Sequence, residues 1–100
     1  MSDRYILDGH KAVACDDFTE WAKWFESGKR TVCVETRGDT TVSTVFLALD
    51  HSFGNGKPVL FETMVFGGDG DQDMNRYHTW EEAEAGHTVM CDKAFKETNP

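Results

Sequence analysis

Asp50, His51 and Glu62 are the residues whose types and order first suggest chemistry. Asp50 and His51 open a loop after one apolar segment, and Glu62 interrupts the next apolar segment, VLFETMVF. A histidine beside carboxylates can transfer protons or hold a metal ion. A carboxylate within an apolar segment needs a partner if it is buried. The simpler interpretation places Glu62 on an exposed sheet face and has Asp50 and His51 stabilise the loop by hydrogen bonds.

His87 and Cys91 are four residues apart, a spacing that places both side chains on one helix face and can chelate zinc. A complete site needs further ligands, which Cys15 or Cys33 would have to supply because no Cys-x-x-Cys pair occurs. His87 also lies on an apolar stripe, which favours a hydrogen-bonded core histidine. We therefore predict no metal and no cofactor, and we interpret the three cysteines as reduced.

Acidic and amide side chains alternate after the last apolar segment, at Asp69, Asp71, Asp73 and Asn75. The alternation is similar to the start of an EF-hand loop, which requires glycine at position six and glutamate at position twelve. Met74 and Trp80 occupy those positions. The pattern therefore favours a solvated loop over a calcium site. The segment 54–58 (GNGKP) lacks the first glycine and the final Ser or Thr of a phosphate-binding loop.

Two helices must position these side chains. Asp17 is the capping residue of a predicted helix over 18–27, whose aromatic residues recur on one face. A T-x-x-E capping box at 79–82 begins a second amphipathic helix, predicted over 80–96. Gly86 lies inside this second helix, where it costs roughly 1 kcal/mol against alanine, and we expect it to allow close packing on a sheet.

An N-terminal hairpin is predicted because Asp8-Gly9 separates two short apolar segments. Three more strands are predicted over residues 31–36, 41–49 and 59–66, joined by a turn and by a loop over 50–58. The strand over 41–49 is apolar on both faces, which is typical of a central strand. The order ββαβββα predicts one α+β domain over residues 1–100. Two helices would pack on one face of an antiparallel sheet of three to five strands.

The composition excludes several classes of protein. The 100 residues are 39% hydrophobic and 12% aromatic, which is too apolar for a disordered chain. No apolar stretch approaches the ~20 residues of a membrane helix, and no signal peptide precedes the domain, so we expect an intracellular protein. The net charge of −8 disfavours direct nucleic-acid binding, which requires clustered Lys and Arg.

The acidity is uneven along the chain. Residues 67–100 contain eight acidic and three basic residues, so −5 of the net −8 lies in the last third. The loop after the last strand and the first turns of the second helix could form one negative patch that binds a basic protein surface. The residues of this predicted partner-binding patch are Asp69, Asp71, Asp73, Glu81 and Glu84. An ordinary solvated surface is the alternative.

The stretch VSTVFLALDHSFGNGKPVLFETMVFGG, followed by YHTWEEAEAGH, resembles a family of small proteins encoded by tailed bacteriophages. The N-terminal YILDGHKAVAC and the WAKWFE segment fit the same family, so the resemblance covers residues 5–90. The family has no assigned activity, and no site residue is transferred from it. The resemblance implies a phage accessory protein that is made in the cytoplasm of a bacterial host.

Three hypotheses follow from these observations. The first is an accessory protein that binds a host or phage protein, with inhibition of a host function as one form. The second is a small enzyme or a ligand- or metal-binding protein that uses Asp50, His51 and Glu62. The third is a self-associating structural module, because three tryptophans and an exposed sheet edge could support a dimer.

Overall fold

Six strands and two helices make up residues 3–52 and 56–96, the part of the chain that the computed structural model describes. In chain order they are β1 (Tyr5–Asp8), β2 (Lys11–Ala14), α1 (Phe18–Ser27), β3 (Thr31–Arg37), β4 (Thr40–Phe46), β5 (Phe61–Phe66), β6 (Met74–Tyr77) and α2 (Trp80–Lys96). Residues 53–55, within the loop predicted over 50–58, lie outside the described residues, as do Gly54 and Asn55 of the GNGKP segment.

Two antiparallel sheets result from this order. β1 and β2 form the predicted hairpin, in which Gly9 takes the left-handed conformation (φ 61°) that suits glycine. The other four strands form one sheet in the order β3-β4-β5-β6. The apolar β4 is an inner strand, as its sequence predicts. The predicted α+β fold, with antiparallel strands and two helices, is confirmed.

β6 is an additional strand that the sequence did not predict. It pairs with β5 in the register Phe61↔Tyr77 to Met64↔Met74, and the order is therefore ββαββββα. The segment MNRY shows no strict alternation of apolar and polar residues, so no local signal marks it. Its pairing depends on the tight turn after β5, where the Val65 N–H donates to the Asp73 carbonyl.

Both helices begin at the predicted caps. The Asp17 Oδ1 atom accepts a hydrogen bond from the Glu20 N–H at 3.0 Å. At α2, the Glu82 N–H donates to the Thr79 hydroxyl at 3.1 Å, and the Glu82 carboxylate accepts from the His78 N–H at 2.9 Å. This bond from His78 is the main cause that lowers the pKa of Glu82.

The helices lie on one side of the four-stranded sheet. Alternate residues of β4, from Thr40 to Phe46, are buried, and α2 packs against all four strands. α1 lies against β1, and its Trp24 reaches Phe46 with ring centroids 5.6 Å apart. Gly86 brings α2 against the Tyr77 ring of β6, which fits the expected close packing. Neither helix has the length and hydrophobicity needed to cross a bilayer, within the residues described.

Candidate functional site

Asp50 and His51 are anchors of the loop that leaves β4. The Asp50 Oδ1 atom accepts hydrogen bonds from the Ser52 N–H at 2.8 Å and the Val59 N–H at 2.9 Å. Burial opposes ionisation of Asp50, but these two N–H groups outweigh it and lower its pKa. The His51 Nδ1 atom lies 2.8 Å from the Leu49 carbonyl oxygen, to which it donates. These contacts match the simpler interpretation of the two residues.

Glu62 lies on the face of the sheet opposite α2, where its carboxylate forms an ion pair with Arg76 of β6. The Arg76 Nε atom donates to the Glu62 Oε2 atom at 3.0 Å. The two residues are cross-strand partners in the β5–β6 register. Among the hydrogen bonds of the described residues, none joins Glu62 to Asp50 or His51. The structure thus gives each member of the proposed cluster a separate structural partner.

The alternating residues after β5 form a tight turn followed by a strand, and this geometry differs from a calcium loop. The Asp71 Oδ1 atom accepts from the Gly67 N–H at 2.7 Å. Asp73 forms an ion pair with Lys93 of α2 at 3.2 Å. Asn75 pairs with Thr63 inside β6. A twelve-residue loop cannot continue through a paired strand, so the EF-hand pattern ends at Met74.

The predicted partner-binding residues fall into two groups at opposite ends of α2. Asp73 contacts Lys93 in the last turns of the helix, whereas Glu81 is in its first turn. Lys93 lies twelve positions after Glu81, or ~18 Å along the helix axis. The predicted residues therefore do not all lie at one end of α2, and their role in partner binding stays a prediction. Asp69 and Asp71 are exposed beside the end of β5, and Glu81 and Glu84 are exposed on α2.

The face of the four-stranded sheet opposite α2, here called the open face, is a surface whose exposed apolar residues the sequence reasoning missed. Its members are the residues that alternate with the buried ones, and they include several apolar side chains. The apolar members are Val34, Val45, Met64, Phe66 and Met74. Exposure reaches 50% for Val34, 48% for Phe66 and 45% for Met74. Within the described residues, no helix covers this face.

Polar contacts and acidic side chains border the open face. The Glu62–Arg76 ion pair lies at its β5–β6 end, and the hydroxyl groups of Thr36 and Thr41 are 2.9 Å apart on its other half. Asp71 bonds the backbone directly after Phe66, which places its carboxylate at the edge of the apolar surface. An exposed apolar surface with a polar border is typical of a protein interface.

A cleft of about 580 Å³ lies between the N-terminal hairpin and the first turn of α2. The His10 imidazole stacks on the Trp80 indole at 3.9 Å and 6°, and Lys11, Lys57 and Glu81 also line the cleft. Aromatic stacking and charges of both signs suit a small ligand. This cleft contains Glu81 but none of Asp50, His51 or Glu62, so the ligand-binding hypothesis would have to use different residues.

His87 is a buried core histidine, as its position on the apolar stripe predicts, but it has sulfur and carboxylate neighbours. Its side chain is 3% exposed, and its Nδ1 atom lies 2.7 Å from the Thr44 hydroxyl. Its Nε2 atom lies 3.4 Å from the Cys91 Sγ atom and 3.5 Å from the Glu35 Oε1 atom. Cys33 is 3.8 Å from the same carboxylate oxygen. The structure thus supplies the additional ligands that His87 and Cys91 lacked in the sequence.

The thiols in this cluster are protonated in the metal-free chain at neutral pH. Burial is the main cause that raises the pKa of Cys91 to about 12, and the nearby Glu35 carboxylate adds to it. Burial and Glu35 also raise the pKa of Cys33. A nucleophilic cysteine requires the opposite shift, because the thiolate is the reactive form. The close contact of Cys91 with His87 therefore does not favour a catalytic dyad.

The signal for this cluster was present in the sequence as two short motifs. Cys33 and Glu35 alternate along one strand face, and His87 and Cys91 share one helix face. Only the packing of α2 on β3 joins the two motifs.

Comparison of the chain with models of known protein families, with curated proteins and with solved structures found no match.

Proposed function

We propose that the chain is a phage-encoded accessory protein that binds another protein through the open face. The observation that carries the proposal is an exposed apolar surface on a sheet face that no described helix covers. Its most exposed residues are Val34, Phe66 and Met74. Aromatic and methionine side chains are enriched in protein interfaces. The phage origin is supported by the resemblance of residues 5–90 alone.

Charge favours a basic partner. The chain has a net charge of −8, and the exposed Asp71 side chain lies beside Phe66 at the edge of the open face. A partner surface with an apolar centre and Lys or Arg around it would complement both features. A second copy of this chain would bring two acidic borders together. The same charge therefore disfavours the self-associating alternative.

The test is capture of a host protein by immobilised wild type and by variants of the open face. Phe66→Ser and Met74→Ser should each weaken the captured complex by about tenfold. Truncation of a side chain that is buried at the centre of an interface typically costs more than about 1 kcal/mol of binding free energy. Val89→Ser is the matched control, because Val89 is 68% exposed on α2 and lies outside the open face. The melting temperature of every variant is measured first, so that only folded chains are compared.

Three results would contradict the proposal: no captured protein, equal capture by Phe66→Ser, or equal loss with Val89→Ser. Asp69→Asn with Asp71→Asn should slow association and reduce its salt dependence, because exposed charges near an interface act mainly on the association rate. Light scattering on the wild type tests the alternative in which a second copy of the chain binds the open face. A dimer that Phe66→Ser dissociates would assign the open face to a second copy of the chain.

A further inference from the structure

Four metal-ligand atoms converge where α2 packs against β3. The Cys33 Sγ atom and a Glu35 carboxylate oxygen come from the strand, and the His87 Nε2 and Cys91 Sγ atoms come from the helix. The ligand atoms of Cys33, Glu35 and His87 all lie within 4.8 Å of one another. A strand supplies two residues at i and i+2 and a helix supplies two at i and i+4, so rigid elements hold all four.

Three separations between neighbouring ligand atoms match the edge lengths of a zinc coordination tetrahedron. Zinc binds sulfur at ~2.3 Å and nitrogen or oxygen at ~2.0–2.2 Å, so its tetrahedral ligands lie about 3.3–3.8 Å apart. The three measured separations are 3.8 Å from Cys33 to Glu35, 3.5 Å from Glu35 to His87 and 3.4 Å from His87 to Cys91. The Cys91 Sγ atom neighbours the His87 Nε2 atom but lies outside the group of three ligand atoms within 4.8 Å, so its side chain would adjust to complete the site.

A buried hydroxyl pair orients the imidazole of His87. The His87 Nδ1 atom is 2.7 Å from the Thr44 hydroxyl, and the Thr44 hydroxyl is 2.5 Å from the Thr63 hydroxyl. With the proton on Nδ1 donated to Thr44, the Nε2 lone pair points toward Glu35 and Cys91. Histidine ligands of metals almost always have such a hydrogen-bonded partner on the other ring nitrogen. Thr44 and Thr63 are therefore positioning residues.

We propose that Cys33, Glu35, His87 and Cys91 bind one zinc ion and thereby join the edge strand β3 to α2. Two sulfur atoms, one imidazole and one carboxylate form a set that suits zinc. The thiols release their protons to solvent as the two zinc–sulfur bonds form. Four protein ligands close the coordination sphere, which is typical of a structural site. Glu35, which is 48% exposed, lies on the side from which an ion can enter.

Cobalt and zinc binding to the purified chain under reducing conditions test this proposal. We expect one Co²⁺ per chain, with the visible absorption of tetrahedral cobalt and a near-ultraviolet thiolate charge-transfer band, displaced by one equivalent of Zn²⁺. Zinc should raise the melting temperature of the wild type. Thr44→Val should weaken zinc binding about 10–100-fold, as loss of a partner of a metal-ligating histidine does.

Cys33→Ser and Glu35→Gln remove ligands at the exposed side, where the metal-free fold should tolerate them. Each should weaken zinc binding more than Thr44→Val does, whereas the controls Cys15→Ser and Glu26→Gln should bind like the wild type. Absence of tetrahedral cobalt absorption in the wild type would overturn the proposal. Equal loss of binding in Cys15→Ser would overturn it as well. The open face contains none of the four ligands, so the zinc-binding experiment and the capture experiment can succeed or fail independently.

Discussion

Asp50 stabilises its loop most strongly as a carboxylate. Its pKa is lowered because the Ser52 and Val59 N–H groups outweigh the opposing effect of burial. A group whose pKa falls on folding stabilises the native state above its unfolded pKa, and that contribution is lost as the pH falls through the folded value. Asp50 should therefore contribute fully at neutral pH and progressively less below pH 3.8.

Asp50→Asn tests this role. We expect the variant to lose about 1 kcal/mol of unfolding free energy at neutral pH, because the amide oxygen is a weaker acceptor for two N–H groups. The difference from wild type should shrink as the pH falls below 3.8. Urea unfolding at a series of pH values measures both. Asp16 is an exposed carboxylate before α1, and Asp16→Asn is the control for the loss of one negative charge. A difference that is independent of pH would contradict this role.

The sequence identified most polar residues of interest but not their partners. Asp50 and His51 are adjacent to the loop they stabilise, so local reasoning predicted their hydrogen bonds. Glu62 contacts Arg76, and that pairing depends on a strand that no local pattern indicated. Cys33 was one of two candidate partners for His87, and only the three-dimensional packing of β3 on α2 decides between them.

At the scale of elements, the helices were predictable to the residue and the strands were not. Capping side chains and apolar spacing are local signals, and both helices begin where the capping side chains place them. The predicted strand over 41–49 is shorter in the structure, because β4 ends at Phe46. The strand predicted over 59–66 begins at Phe61. Strand ends are set by cross-strand pairing, which the sequence of one segment does not contain.

Gly86 lies where α2 approaches the Tyr77 ring closely, and it gives a second test. A Cβ atom at this position would overlap the Tyr77 ring. Gly86→Ala gains ~1 kcal/mol of helix propensity but overpacks a buried contact, which typically costs 1–3 kcal/mol. We expect net destabilisation, measured by thermal and urea unfolding.

A double-mutant cycle identifies the cause of that loss. In a Tyr77→Leu background the ring is absent, so Gly86→Ala should be neutral or stabilising there. The coupling between the two substitutions would then be at least 1 kcal/mol. Equal destabilisation by Gly86→Ala in both backgrounds would show that the Tyr77 ring is not the obstacle. It would also remove the explanation for a glycine in the middle of α2.

At the scale of the whole molecule, the chain is elongated, with principal extents of 50 × 30 × 20 Å. Its Cα radius of gyration of 14.7 Å exceeds the ~13 Å typical of a 100-residue domain. One four-stranded sheet with a helix on one side makes a thin body, and the hairpin with α1 extends it at one end. This shape leaves the open face available, and it places the N-terminal part at one end of the main sheet, against the core cluster around Phe46 and Phe61.

Trp21 of α1 is a principal connection between these two parts. Its indole Nε1–H lies 3.1 Å from the Tyr5 carbonyl oxygen and 3.2 Å from the Ala48 carbonyl oxygen. It therefore joins α1, the first strand of the hairpin and the chain that leaves β4. The Tyr5 N–H also donates to the Ala48 carbonyl at 2.8 Å, so the three segments meet at one point.

Trp21→Phe should loosen the N-terminal part without unfolding the four-stranded sheet. The substitution removes the shared donor and should cost about 1–2 kcal/mol, since one buried hydrogen bond is lost and two carbonyl groups lose a partner. Regions with few connections open locally, at free energies below that of global unfolding. Amide hydrogen exchange should therefore accelerate in Tyr5–Asp8 and Lys11–Ala14 while Thr40–Phe46 keeps its protection.

Trp24→Phe is the matched control, because Trp24 packs edge-on against Phe46 in the core of the main sheet. Truncating it should lower protection in Thr40–Phe46 together with the N-terminal strands, since the loss is then shared by the main core. If amide hydrogen exchange in Trp21→Phe accelerated uniformly, with the same pattern as in Trp24→Phe, the chain would be shown to open as one unit. A selective effect would instead identify the hairpin as an element that opens separately from the open-faced sheet.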